Sequence, residues 1–236
     1  MSDGCVVLMS GGQDSTTCAI IARKVFKPEA IWPVTFMYEQ RHKIEVVQAQ
    51  IIAERLGLQP PMVLYVPALK QLGGGALTNE DIPTVADAAG TQNKYAEEHN
   101  LPPTVVPGRN VVFLALAAGY GAKLGIYELW TGGCLADYQG YPDCRPEFYL
   151  AMQGALEEAL DDLRVKIVTP LTSKSKAETF KIANDEGELD TILELTHTCY
   201  NGVREMHDWG AGCGECPACQ VRAAGYQEFL DMPVVS

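Results

Sequence analysis

Ser10-Gly11-Gly12-Gln13-Asp14-Ser15 decides how this chain of 236 residues is read. The apolar run before it, Cys5-Val6-Val7-Leu8-Met9, has the unbroken hydrophobicity of a strand buried on both faces of a parallel sheet. The segment after it, Thr16-Thr17-Cys18-Ala19-Ile20-Ile21-Ala22, reads as a helix with its apolar face turned inward. A strand, a tight Gly-Gly turn and a hydroxyl-rich helix start make an anion cradle. Glycine lets backbone come close to the anion, and the helix N-terminus offers N–H groups and the positive end of its dipole. No Gly-x-x-x-x-Gly-Lys-[Ser/Thr] occurs here, so the loop itself carries no lysine for β- and γ-phosphates. The plain alternative is a βα turn that happens to be rich in Ser and Gly; six residues in this setting favour nucleotide binding.

Outward from this loop the chain alternates between strands and helices. A strand is expected over 31–37, with Pro33 near its beginning. Ile44, Val47, Ile51 and Leu56 recur at helical spacing within 41–56, and Gly57 is a natural stop. A third strand covers 62–66. Residues 67–107 then break the rhythm with Gly73-Gly74-Gly75, several prolines and one short helical candidate over 92–99. So long an insertion is a lid, a binding loop or a disordered segment. A helix over 110–124, a strand over 126–131, a helix over 146–163 and a strand over 165–168 follow, and Ser173 is placed to cap a helix running to Glu186. Five strands in this order predict a doubly wound α/β fold with a parallel sheet and its ligands at the carboxyl ends of the strands. The expected division is a nucleotide-binding α/β unit over 1–190 and a small helical segment over 191–236, packed on the same domain.

Bulk properties narrow the function classes. A hydrophobic content of 47% suits one globular domain with a full core. No basic stretch followed by an apolar run opens the chain, and no apolar run has the length of a membrane span, so a cytoplasmic, non-membrane protein is expected. The formal charge of −12 counts against a nucleic-acid partner, which is usually held by a basic face, and favours a small molecule.

Eight cysteines without an export signal do not read as a disulfide framework. Cys5 and Cys18 fall where small apolar packing is needed. Cys199, Cys213, Cys216 and Cys219 form Cys-x13-Cys-x2-Cys-x2-Cys. Three thiols so close in sequence do not meet the separations and dihedrals of disulfides, whereas short loops let thiolates converge on one tetrahedral ion. Zinc is the expected metal, one structural ion per chain, because four protein ligands close the site. An iron–sulfur cluster and four unliganded thiols are the alternatives.

The Ser10–Ser15 stretch resembles the SGGxDS signature of the ATP pyrophosphatases of the PP-loop type, which cleave ATP between the α- and β-phosphates and adenylate an acceptor. The segments Tyr38-Glu39-Gln40-Arg41-His42, Val106-Pro107-Gly108-Arg109-Asn110, Gly140-Tyr141-Pro142-Asp143-Cys144-Arg145-Pro146-Glu147-Phe148 and Thr198-Cys199-Tyr200 narrow this further. Together they resemble the 7-cyano-7-deazaguanine synthases, the QueC family, over most of the chain. The gap between Cys199 and Cys213 is longer than that family's usual spacing.

The resemblance implies ATP with Mg²⁺ as co-substrate, 7-carboxy-7-deazaguanine and ammonia as substrates, a nitrile as product in queuosine-type biosynthesis, and a homodimer. It assigns the nucleotide to Met9, Ser10, Gly11, Gly12, Gln13, Asp14, Ser15, Thr16, Thr17, Cys18 and Ala19, with Asp14, Ser15, Arg109 and Lys176 as the catalytic candidates. Tyr38, Arg41, Asp137, Tyr141, Asp143, Arg145 and Glu147 are the candidates for the deazaguanine. In that reading the carboxylates meet its guanine-like edge, Arg145 its carboxylate and a tyrosine its ring. A local role for Asp143 and Arg145, capping the next helix, is the competing view. The rival functions are a variant stopping at the amide, a tRNA-modifying PP-loop enzyme, and a non-catalytic module that docks a partner through the cysteine segment.

Overall fold

Cys5, Val6 and Val7 have no exposed surface, because β1 (Cys5–Leu8) is the middle of the sheet. The computed structural model describes residues 3–38, 44–72, 77, 94–102, 104–134 and 141–233. Within them, β1, β2 (Ile31–Met37), β3 (Met62–Tyr65), β4 (Glu128–Trp130) and β5 (Lys166–Val168) form one parallel sheet in the order β3-β2-β1-β4-β5. The chain runs to one side of β1 through β2 and β3, then returns to the other side for β4 and β5. The order therefore reverses between β1 and β4, and that switch point is where a parallel sheet opens a crevice for ligands. Pro33 lies opposite Val7 of β1, while pairing with β3 begins only at Val34, so its missing N–H interrupts no ladder on that side.

Each face of the sheet carries its own core. On one, α1 (Gln13–Ala22), α2 (Ile44–Arg55) and α7 (Lys176–Asp185) bury Cys18, Ile20, Ile52 and Phe180. On the other, α5 (Arg109–Leu124) and α6 (Pro146–Leu160) bring Ala117, Ala118 and Leu156 against Val6, Val34 and Leu129. From the 67–107 insertion, α3 (Ala68–Leu72) and α4 (Lys94–Glu98) are described; 73–76, 78–93 and 103 lie outside the described residues. No helix among the described residues is long and apolar enough to cross a membrane.

Several boundaries differ from expectation for local reasons. Helix α1 begins at Gln13, three residues before Thr16, so the second half of the signature loop is itself the first turn. Strand β4 begins at Glu128, because the Ile126 N–H still closes the end of α5 on Gly121 O at 2.8 Å. Asp161, in the left-handed region at φ 50°, ends α6 before residue 163. Helix α7 is capped by Ser175, not Ser173. The Ser175 Oγ accepts from the Glu178 N–H at 3.2 Å, and the Glu178 carboxylate accepts from the Ser175 N–H at 2.8 Å.

Beyond 190 the chain makes a π-helical turn (Thr191–Leu195), an antiparallel hairpin of β6 (Glu205–His207) and β7 (Gly210–Gly212), and α8 (Pro217–Leu230). Helix α8 lies along α7, with Tyr226 edge-on to Phe180 at 5.2 Å. The hairpin was not expected, since its strands are three residues long and carry no alternating pattern.

Because the reciprocal cap fixes the first turn of α7, Ser175→Ala should cost about 1 kcal/mol of folding stability. Urea denaturation should show a lower midpoint with an unchanged slope, and Ser175→Thr should recover most of the loss.

Candidate active site

The turn after β1 is built backbone against backbone. Gly11 sits at φ +79°, and a Cβ there would lie 2.5 Å from Glu45 O and 2.9 Å from the Ala49 nitrogen of α2. The need for glycine at this position is thus helix packing as well as turn geometry. Gly132, just past β4, meets the loop from the other side: a Cβ would come within 2.7 Å of the Asp14 carbonyl. From the C-terminal segment, the His197 N–H donates to Gly11 O at 2.9 Å.

The α1 N-terminus opens between these walls. Gly12 is the N-cap, and the Thr16 N–H is the first to bond back, to Gly12 O at 3.1 Å. The N–H groups of Gln13, Asp14 and Ser15 therefore precede the helical ladder, at the positive end of the helix dipole that favours an anion. Ser15 Oγ accepts from the Ser10 N–H at 3.2 Å and lies 3.1 Å from Ser10 Oγ, which fixes the loop across its mouth. Lys176, at the start of α7, pairs its ammonium with the Asp14 carboxylate. The cation that the loop lacks in its own sequence comes from another element.

Ser10, Gly12, Gln13, Asp14 and Ser15 line a cleft of about 300 Å³, with Lys176 behind Asp14 and outside the lining. Of the expected nucleotide residues, Met9, Ser10, Gly12, Gln13, Asp14 and Ser15 face it; Gly11, Thr16, Thr17, Cys18 and Ala19 are not among its lining and support the loop from behind. Phe36 and Phe113 stack at 4.0 Å between ring centroids and form an apolar wall, with Tyr38 tilted on Phe113 at 5.5 Å.

Arg109, on the first turn of α5, lines the same cleft. Burial pulls its basicity down, but Tyr38, Asp143, Tyr141 and Cys144 around it more than offset that, and the guanidinium is held firmly charged. Burial pushes the Tyr38 hydroxyl up, so it stays a neutral partner of Arg109. Asp143 accepts from the Asn110 N–H at 3.4 Å, while the Asn110 side chain donates to Asp143 O at 3.2 Å and meets Cys144 Sγ at 3.6 Å. Tyr141 is bonded to Thr104 Oγ1 at 2.5 Å. These contacts fasten the loop after β4 to the start of α5.

Tyr38, Tyr141 and Arg109 thus face the cleft, and Asp143 stands behind Arg109. Arg145 and Glu147 are exposed and lie outside the lining. Arg41 and Asp137 lie outside the described residues, as does His42. Phe36, Phe113, Tyr149 and Thr198 line the cleft without having been singled out, since an apolar or hydroxyl side chain carries no chemical signature in sequence.

The four sulfurs of Cys199, Cys213, Cys216 and Cys219 lie within 4.8 Å of one another, and Cys213 and Cys219 are 3.9 Å apart. Around a tetrahedral ion with metal–sulfur bonds of about 2.3 Å, the edges measure about 3.8 Å. The set fits one metal ion. Burial pushes the Cys213 thiol up, but the N–H groups of Cys216 and Glu215, at 3.3 and 3.4 Å, outweigh it, and the pKa falls to about 6. Cys199 belongs to both places: it is one of the four thiols and it lines the cleft.

Residues 4–230 match the family described as queuosine biosynthesis protein QueC. Among solved structures, the chain is similar to NMN synthetase from Francisella tularensis (TM-score 0.49, 12% identity, 100% of this chain and 90% of that one). It is also similar to an NH3-dependent NAD synthetase from Campylobacter jejuni (TM-score 0.47, 13% identity, 81% and 67%). A third is the U34-tRNA thiolase NcsA from Methanococcus maripaludis with its [4Fe-4S] cluster (TM-score 0.46, 15% identity, 97% and 66%).

If the Lys176 ammonium completes the anion cradle, Lys176→Met should leave the protein folded and weaken ATP binding about ten- to a hundredfold, the range of a lost charge-assisted hydrogen bond. Calorimetric titration with ATP measures this. An unchanged affinity would remove Lys176 from the cradle.

Proposed function

The chain belongs to the QueC family, ATP-using enzymes of queuosine-type 7-deazapurine biosynthesis; from that membership and the cleft we propose that it converts 7-carboxy-7-deazaguanine and ammonia to 7-cyano-7-deazaguanine. The observation that carries the reading is one cleft holding both the α1 N-terminus, where Asp14 is backed by Lys176, and a charged arginine, Arg109, for a carboxylate.

The chemistry needs both. A carboxylate does not react with ammonia at neutral pH, because oxide is too poor a leaving group. Its oxygen attacks the α-phosphorus of ATP, the bond to the β-phosphate breaks, and pyrophosphate leaves with its charge held by the N–H groups of Gln13, Asp14 and Ser15 and by Lys176. Ammonia adds to the acyl carbon and expels AMP and a proton, giving the amide. The amide oxygen attacks a second ATP in the same way, expelling pyrophosphate; loss of AMP and of both protons from the nitrogen then leaves the nitrile. In each round Arg109 orients the attacking oxygen, Tyr38 and Tyr141 flank it, and the Phe36–Phe113 wall excludes water. Mg²⁺ accompanies ATP, and the Asp14 carboxylate is an oxygen donor of the kind it takes.

The cysteine set is assigned to zinc in a closed, structural role. Sulfurs this close suit one ion, whereas a [4Fe–4S] cluster attaches each thiolate to a different iron and spreads them. The reading also takes the protein as a cytoplasmic homodimer using free ammonia, and the net charge of −12 supports small-molecule rather than nucleic-acid substrates.

Incubation with 7-carboxy-7-deazaguanine, MgATP and ammonium, followed by mass spectrometry, should yield the nitrile with two AMP per product. Amide with a single AMP would limit the enzyme to the first round, and no turnover by folded protein would overturn the substrate assignment. Metal analysis should return one zinc per chain and no visible iron–sulfur absorption. Stoichiometric iron with sulfide would overturn the zinc assignment.

A further inference from the structure

Arg222 is fully buried on α8, yet no carboxylate among the described residues forms an ion pair with it. Its guanidinium instead donates to Trp209 O at 2.9 Å, Thr198 Oγ1 at 2.9 Å and Ile192 O at 2.8 Å. Burial lowers its pKa to about 10, which still leaves it charged at neutral pH. A buried charge held only by neutral acceptors is costly unless an opposite charge lies near.

Asp14 favours the charged guanidinium, and Cys219, one of the four thiols, lies about one helical turn before Arg222 on the same buried stripe of α8. Four thiolates around a divalent ion would carry a net charge of about −2, so a metal held there would set an opposite charge near this cation.

Three consecutive residues show where the cation acts. His197 bonds through its N–H to Gly11 of the phosphate loop, Thr198 receives Arg222, and Cys199 is one of the four thiols. Helix α8 carries the connection onward. Cys219, Arg222 and Gly225 are spaced by three and share one buried stripe of the helix. At Gly225 the helix backbone presses on Lys176, the partner of Asp14.

We propose that Arg222 is a positioning residue that couples metal ligation to ATP binding: it holds Thr198, and with it the His197–Gly11 contact, between the four thiols and the phosphate loop, so that a metal bound at one end steadies the loop at the other. The inference rests on the cleft being the ATP site. It adds that the metal centre and the phosphate loop report on each other's occupancy.

Such coupling is reciprocal, so it can be read without turnover. In the zinc-loaded protein, ATP without deazaguanine should slow zinc transfer to a chromogenic chelator about tenfold. Zinc removal should weaken ATP binding by a similar factor in calorimetry. Arg222→Met should abolish the protection by ATP and Arg222→Lys should keep part of it, since one ammonium cannot reach three divergent acceptors. Leu156→Ala, buried in the core on the opposite face, should lower stability while leaving protection intact, which separates positioning from general loosening.

The proposal is overturned if ATP leaves wild-type zinc transfer unchanged, or if Arg222→Met retains the protection. ATP binding that persists without coupling would sink this inference alone. Absence of ATP binding to zinc-loaded protein would sink the cleft assignment along with it.

Discussion

The turn at Gly11 and Gly12 is confined by backbone on three sides, and the active cleft depends on that confinement. Helix α2 closes on Gly11, the strand-end glycine Gly132 closes on Asp14, and the His197 N–H holds Gly11 from the C-terminal segment. None of these contacts involves a long side chain that can adjust. A loop fixed in this way pays little reorganisation when an anion arrives, and preorganised N–H donors are worth most under that condition. It also explains why three sequence-distant segments are needed to make a six-residue loop work.

Charge follows the same economy of placement. The chain is strongly acidic, with 30 Asp and Glu against 18 Lys and Arg, yet the ligand proposed for its cleft, ATP, is itself a polyanion. Exposed carboxylates beyond a Debye length of about 8 Å are largely screened at physiological salt. At the cleft the relevant charges are few and close: Arg109 and the α1 dipole on its wall, and Lys176 behind Asp14. Asp14 and Glu45 also line it. Pairing Lys176 with Asp14 keeps the ammonium oriented and lessens the cost of leaving it half-buried before ATP binds. The net charge of the protein is thus a poor guide to the field its ligand meets.

Sequence patterning made the sheet legible because its strands are short, mostly apolar runs with helical patterns between them. It placed the cap of α7 two residues early, since Ser173 and Ser175 both precede a helical pattern and only the second has Glu178 three residues on. The phosphate loop and the four thiols were legible because their residue types and spacing carry the chemistry. Arg109 was legible through its segment, but its alliance with Asp143 was not, because a carboxylate in a loop looks the same whether it meets a ligand or an arginine. Arg145 reads as an equally good anion partner, yet its side chain points to solvent. Arg222 carried no signal: an arginine within an amphipathic helix is ordinarily exposed, and only tertiary contacts from residues 192, 198 and 209 bury it.

The proposed reaction asks one cleft to activate two different groups, and the arrangement around Arg109 suits that demand. The first acceptor is an anion and meets the guanidinium through charge-assisted bonds; the second is a neutral amide that offers it one carbonyl oxygen. The ATP contacts are the same in both rounds, so the difference in affinity falls on the acceptor alone. The nitrile retains no oxygen at that carbon. It would therefore lose the Arg109 contact proposed for both of its precursors, and a hydrogen bond to a charged group is worth about 1.5–3 kcal/mol. Binding at Arg109 would then weaken stepwise from acid to amide to nitrile, so that the contact which aims each activation also favours release of the product that needs none.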